Sequence, residues 1–221
     1  RGVARLRHAK GDLHLLTAGF PLEATLGHGW TAAAVGGKGT FTNDRWIQTD
    51  LANSISTIGV GSDYRNWFRA ARYEARVAHH WEWSEGDLQI SGGGRTEDDW
   101  SVRGGGPWSL FNRNDTLHMQ RPNPPVERGR LSSALAGVRG GWQHSKVDIA
   151  GGADVEVVLD APSDERFTQT TFYARVAFPT FVTKLGTQSF VFHTHMVLTA
   201  GDTAPPQRFA YLGGSGTLPT F

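Results

Sequence analysis

Three groups of residues in this 221-residue chain have types and spacings that could do chemistry. His193-Thr194-His195 puts two imidazoles on one side of an extended strand, a spacing that metal sites on sheets use. Two ligands make an incomplete site, and that strand carries no carboxylate to add a third. His79-His80 sends its rings to opposite faces, which is weaker still. The acid pairs Asp98-Asp99 and Asp154/Glu156 are candidates for glycosidase chemistry, where two carboxyls about 5 Å apart flank the scissile bond. Any half-polar strand also places acids at that spacing. Gly92-Gly93-Gly94 and Gly104-Gly105-Gly106 lack the strand-to-helix context and terminal lysine of a phosphate loop, so they read as flexible turns. No serine elbow is present, and the absence of cysteine removes disulfides, thiolate zinc sites and thiol nucleophiles together. No catalytic residue, metal site or cofactor is assigned, and the chain is not expected to be an enzyme.

The elements that position these residues follow from composition and alternation. Lys+Arg (22) nearly balances Asp+Glu (21), so no broad basic field exists to attract nucleic acid. Mean hydropathy is -0.37, and no apolar run approaches the roughly 18 residues of a membrane-spanning helix. The 28 glycines and eight tryptophans favour many short strands and turns, and the length suits one all-β domain. The chain opens at Arg1 without a basic-then-apolar leader, so a secretory signal would lie upstream.

Strict period-two alternation marks the strands. From Lys146 to Asp160, Val147, Ile149, Val155 and Val157 share one face while Asp148, Asp154 and Glu156 share the other. From Arg65 to Trp83, Tyr73, Val77, Trp81 and Trp83 oppose Arg72, Glu74, Arg76 and Glu82. Ser84 to Asp87 turns this strand into a partner containing Leu88 and Ile90. A last hairpin joins Thr168–Phe178 to Gln188–Ala200, and Arg130–Trp142 is a weaker strand with a bulge or a tight curve expected near Gly140-Gly141. At the amino-terminal side, Val3–Ala9, Leu13–Gly19 and Glu23–Val35 are expected strands, the first two meeting at Lys10-Gly11-Asp12. Long irregular stretches fill residues 36–64, with a short helix near Asp50–Ile58, and residues 96–127. Aromatic residues at both ends of an apolar face match the girdles of a membrane barrel, and short turns alternating with long loops add to that match.

The chain closes on Pro205-Pro206-Gln207-Arg208-Phe209 and Gly213-Gly214, then Thr217-Leu218 and Phe221. With Phe172-Tyr173-Ala174-Arg175 upstream and Asp63-Tyr64-Arg65-Asn66-Trp67-Phe68-Arg69 at the start of a strand, this order resembles the BamA/TamA superfamily of outer-membrane assembly proteins, also called the bacterial surface antigen family. The resemblance is densest over Phe167–Phe221. It implies an all-β, antiparallel transmembrane β-barrel, of which residues 1–221 supply about eight or nine strands as one part of a single outer-membrane domain. The loop over 201–221 would then be the family's motif loop, carrying Arg208, Phe209, Gly213, Gly214, Thr217, Leu218 and Phe221, with Arg175 facing the lumen. Where the family has Arg-Gly before the last aromatic, this chain has Pro219-Thr220, so that guanidinium is missing. The implied role is insertion or assembly of outer-membrane proteins, or protein translocation, in the bacterial outer membrane. Its partners would be outer-membrane lipid, unfolded outer-membrane client proteins, and periplasmic domains or accessory proteins. The alternative from the residues themselves is a soluble β-sandwich with carbohydrate-binding or hydrolytic activity. Burial of the two apolar faces between packed sheets would favour it.

Overall fold

A computed structural model describes residues 3–4, 18–19, 22–44, 47, 49–61, 63, 65–102, 109–111, 123–183 and 186–209. Ten strands join in one antiparallel sheet. The short β1 (Val3–Ala4) and β2 (Ala18–Gly19) precede β3 (Leu22–Gly27) and β4 (Trp30–Phe41). After helix α1 (Asp50–Val60) come β5 (Phe68–Trp83), β6 (Gly86–Ser101), β7 (Gly129–His144), β8 (Val147–Asp160), β9 (Phe167–Thr183) and β10 (Gly186–Gly201). The hydrogen-bonded order runs β1-β3-β4-β5-β6-β7-β8-β9-β10, with β2 pairing β4 off this path.

This order corrects the expected transmembrane barrel. A barrel closes only when its last strand bonds its first. Here β10 pairs β9 alone and β1 pairs β3 alone among the described residues, so the sheet is neither closed nor curled into a barrel and keeps an edge on each side. An open sheet leaves a row of unbonded amides and carbonyls at each edge, which hydrocarbon does not tolerate. The outer-membrane location falls with the barrel, and so does the assembly role that the BamA/TamA resemblance implied. No helix among the described residues is long and apolar enough to cross a membrane. All ten strands belong to one sheet, so the second layer of a sandwich is not among the described residues either.

The alternation sorts side chains as the sequence requires. One face, here called the charged face, carries Arg72, Glu74 and Arg76 of β5 opposite Glu97, Arg95 and Gly93 of β6, with Asp154 and Glu156 of β8 in the same layer. The other carries Tyr73, Val77, Trp81 and Trp83, with Ile149 and Val157, and nothing described covers it: Tyr73 is 60% exposed and Trp83 50%. The turns at one end are short. His28-Gly29 joins β3 to β4 with both residues at positive φ (51° and 81°), and Ser145-Lys146 joins β7 to β8 with Ser145 at 55°. At the opposite end, beside the described parts of the connections that follow β4, β6, β8 and β10, Leu131, Val158, Ala161, Phe167 and Ala204 form a small apolar cluster.

Several expected boundaries move. Glu23–Val35 is two strands rather than one, because the chain reverses at His28. Residues 36–41 and 96–101, expected as loop, extend β4 and β6 and pair with the two sides of β5. Gly92-Gly93-Gly94 lies within β6 instead of forming a turn; a Cβ on Gly93 would sit 2.1 Å from the carbonyl oxygen of Ala75, so the close approach of β5 explains the glycine. The irregularity in β7 falls at Ser132/Ser133, while Gly140 and Gly141 pair regularly with β8. The expected strands Val3–Ala9 and Leu13–Gly19 and the turn Lys10-Gly11-Asp12 lie mostly outside the described residues.

Helix α1 starts where Thr49 accepts a hydrogen bond from the Ala52 amide at 3.3 Å and ends at Gly61, whose φ of 77° lets its amide reach the carbonyls of Ser56 and Thr57. Backbone bonds from Leu110 to Ile58 (2.8 Å) and from Phe111 to Gly59 (3.0 Å) take up the last carbonyls. Thr49→Ala is expected to cost about 1 kcal/mol of local stability. Amide exchange at Ala52 should accelerate about fivefold, and unchanged exchange there would show that the cap is not holding the helix.

Candidate functional site

The charged face converges on Arg208. The turn Pro206–Arg208 lies at the loop end of the sheet and drives this guanidinium into the layer between β6 and β8. Arg208 donates to Glu97 of β6 through Nη2 and to Glu156 of β8 through Nε at 3.1 Å and Nη2 at 3.3 Å. Two neighbouring arginines complete the cluster. Arg72 donates to Glu97 at 2.6 Å and lies 4.2 Å over the Phe41 ring, while Arg95 meets Glu156 at 2.5 Å. Ser133 of β7 donates to Glu156 at 2.7 Å. Arg208 is 3% exposed and Glu97 1%, so these are desolvated ion pairs.

Gln207 locks the turn beside this cluster. Its Nε2 donates to Asp99 at 3.0 Å and to the Glu127 carbonyl at 3.3 Å, and its Oε1 accepts from the Glu127 amide at 3.2 Å. Asn43 donates to the Gln207 carbonyl at 2.6 Å, and Gln169 of β9 donates to the Arg208 carbonyl at 2.8 Å. Segments 43, 97–99, 127, 156 and 169 therefore all bind the same two residues.

Burial sets the charge states. It is the largest single influence on Glu97 and Glu156 and pushes both up, but Arg208, Arg72 and Arg95 together outweigh it at Glu97, and Arg208, Arg95 and the Ser133 hydrogen bond together at Glu156, so each carboxyl is held below its usual range. Burial also pushes Asp99 up, and the negative charge of Glu97 adds to the effect; the result, about 7, leaves Asp99 partly protonated at neutral pH. Burial lowers Arg208, yet Glu156, Glu97 and Asp99 together raise it above the ordinary arginine value. The guanidinium is permanently charged.

The residues singled out from sequence are distributed as follows. Arg208 is the centre of the cluster and Phe209 ends the turn at 40% exposure. Arg175, expected in a lumen, lies on the charged face of the open sheet and donates to Asp148 at 2.6 Å. Gly213, Gly214, Thr217, Leu218 and Phe221 lie outside the described residues. Asp98 and Asp99 point to opposite faces, Asp98 near Arg130 at 3.6 Å and Asp99 buried. Asp154 pairs with Arg139 at 3.2 Å. His193 and His195 share the charged face opposite Arg175 and Tyr173 of β9, and no group of three metal-ligating side chains occurs among the described residues. Glu97, Arg72 and Arg95 were not singled out, although their alternation along two adjacent predicted strands was the available signal.

A second cluster occupies the uncovered face at the short-turn end. Trp30 of β4 meets His79 of β5 edge-on at 4.6 Å, and His79 lies 4.2 Å from Trp81. Trp142 and His144 of β7 stack at 5.5 Å with planes 4° apart. Trp83 lies between these groups, packing over Gly86, where a Cβ would come within 3.0 Å of its ring. The four indoles are between 41% and 50% exposed. The pair His144–Glu85 (3.0 Å) forms a polar rim at the adjoining turns.

Comparisons with protein-family models, curated proteins and solved structures return no match for this chain. The BamA/TamA resemblance thus lacks a matching family model as well as a closed barrel.

Proposed function

We propose that this chain is a non-catalytic carbohydrate-binding domain that works through the aromatic shelf of Trp30, Trp81, Trp83 and Trp142. The carrying observation is that these indoles are held in fixed orientations at one end of an uncovered sheet face, with roughly half of their surface open. Sugar rings present C–H groups on their flat faces, and electron-rich indole faces are their natural complement. The Glu85–His144 rim supplies the few polar groups that orient such a ligand. The ion cluster on the opposite face ties β5, β6, β7 and β8 together and keeps the platform rigid.

A hydrolytic role is the weaker reading for a geometric reason. Glu97 and Glu156 share the guanidinium of Arg208, which occupies the gap a glycosidic bond would need. Asp99 has a raised pKa suited to a general acid, but at 1% exposure no substrate reaches it.

Affinity electrophoresis through gels containing soluble glucans, mannans, xylans or chitin oligomers tests the binding role. Retardation in one of these is expected, and Trp81→Ala or Trp142→Ala should weaken it about tenfold or more. Trp100→Ala, away from the shelf, should leave it unchanged. Absence of retardation across the whole panel, or equal loss in all three variants, would overturn the assignment.

A further inference from the structure

The exposed edge of β10 differs from an ordinary sheet edge. Edge strands are normally blunted by lysine, proline, inward charge or a bulge near the middle. From Gly186 to Gly201 the sequence holds no Lys, Arg, Asp, Glu or Pro, and the one irregularity in its pairing with β9 lies near its start, at Gln188/Ser189. Across the remaining stretch β10 runs in continuous register with β9, and no described strand lies on its other side.

The sequence of this edge is also close to a palindrome in residue type. About Thr194, His193 mirrors His195, Phe192 mirrors Met196, Val191 mirrors Val197, Phe190 mirrors Leu198 and Ser189 mirrors Thr199. Antiparallel pairing of two identical strands about a two-fold axis at Thr194 sets each residue opposite its mirror image. Because mirror positions differ by an even number, both members of each pair share a face. Phe190, Phe192, Met196 and Leu198 thus meet apolar partners on the uncovered face, while the histidines and valines meet their own kind on the charged face. The axis stands perpendicular to the sheet, so both apolar faces end on the same side.

We propose that two copies of this chain associate edge to edge through β10, antiparallel about Thr194, to form one continuous sheet. The occupant of the edge is a second copy because only a partner with the same spacing of Phe, Met and Leu against Val and His matches every position of an eleven-residue span. Directly opposed side chains in such a pair have Cβ atoms about 4.5–5.5 Å apart, close enough for each matched pair to be in contact. The contact is isologous and closes on itself. It leaves the aromatic shelf free, since that lies on β4, β5 and β7.

Because the chain has no native cysteine, single cysteines report the register directly. Thr194→Cys is expected to crosslink efficiently to its copy with a short bismaleimide. Val191→Cys alone should not, because its copy lies about 20 Å along the strand; an equimolar mixture of the Val191→Cys and Val197→Cys proteins should crosslink to about half the extent of Thr194→Cys, since random pairing makes about half of the dimers mixed. In sedimentation, the wild-type chain should dimerise and Thr194→Lys, which opposes two like charges at the axis, should shift it to monomer. A wild-type chain that sediments only as monomer, or crosslinking that does not depend on position, would overturn the proposal. Neither readout depends on sugar binding.

Discussion

Arg208→Ala is expected to lower the free energy of unfolding by about 3 kcal/mol. Removing one member of a buried ion pair generally costs about 3–5 kcal/mol, because the partner stays buried without compensation. Arg208 serves two partners, Glu97 and Glu156, which argues for a large effect. Arg72 and Arg95 remain beside the same carboxylates at 2.6 Å and 2.5 Å, which places the loss at the lower end of that range. The truncation also frees the carbonyl contacts of the turn with Gln169 and Asn43 to loosen. Arg208→Lys should recover only part of the loss, since a single ammonium cannot present parallel donors to two carboxylates. Urea unfolding followed by tryptophan fluorescence measures both variants. A loss below about 1 kcal/mol in Arg208→Ala would show that the cluster does not hold the sheet together.

Asp99→Asn is expected to stabilise the protein at pH 8 and to leave it unchanged below pH 4. In the folded chain Asp99 titrates at about 7, against an ordinary value of 3.8. Below 3.8 the folded and unfolded chains both hold this proton, and the group has no effect. Between 3.8 and about 7 the folded chain holds the proton more tightly than the unfolded chain, so its stability falls as pH rises. Above about 7 the fall stops and the full penalty persists. Asparagine mimics the protonated acid, keeps an oxygen to accept from Gln207 and removes the penalty, on the order of a few kcal/mol. Glu97 and Glu156 work in the opposite sense, since their lowered folded values give stability that is lost only on acidification below the usual carboxylate range. Comparing the variant with the parent at each pH isolates Asp99. Equal differences at pH 4 and pH 8 would count against a raised Asp99.

Local alternation made much of this sheet legible in advance. The two faces of β5, β8, β9 and β10 follow from period-two patterning, and Thr49-Asp50 with Gly61 brackets the helix expected at Asp50–Ile58. The reversal at His28 was hidden because a histidine with positive φ is an uncommon turn residue, although Gly27 and Gly29 flank it. Residues 36–41 and 96–101 looked like loop because glycines and acids carry little strand propensity; pairing with both sides of β5 overrides that preference. The barrel reading was the largest error. Lumen-polar, lipid-apolar alternation and the alternation of an open two-faced sheet are the same local signal, and only the pairing of the outermost strands separates them. The ion cluster was equally hidden, since its central cation comes from 111 residues beyond Glu97.

That separation has a consequence for the order in which the molecule is assembled. From β3 to β10 every pairing joins consecutive strands, so each new strand can add to the preceding one as the polypeptide emerges. Glu97 and Glu156, with Arg72 and Arg95, are therefore in place well before Arg208 exists. Until residue 208 has been made, Glu97 and Glu156 lack the cation that they share in the finished fold. A chain interrupted between Gly201 and the turn Pro206–Arg208 would carry the same strand order with Glu97 and Glu156 lacking their shared cation.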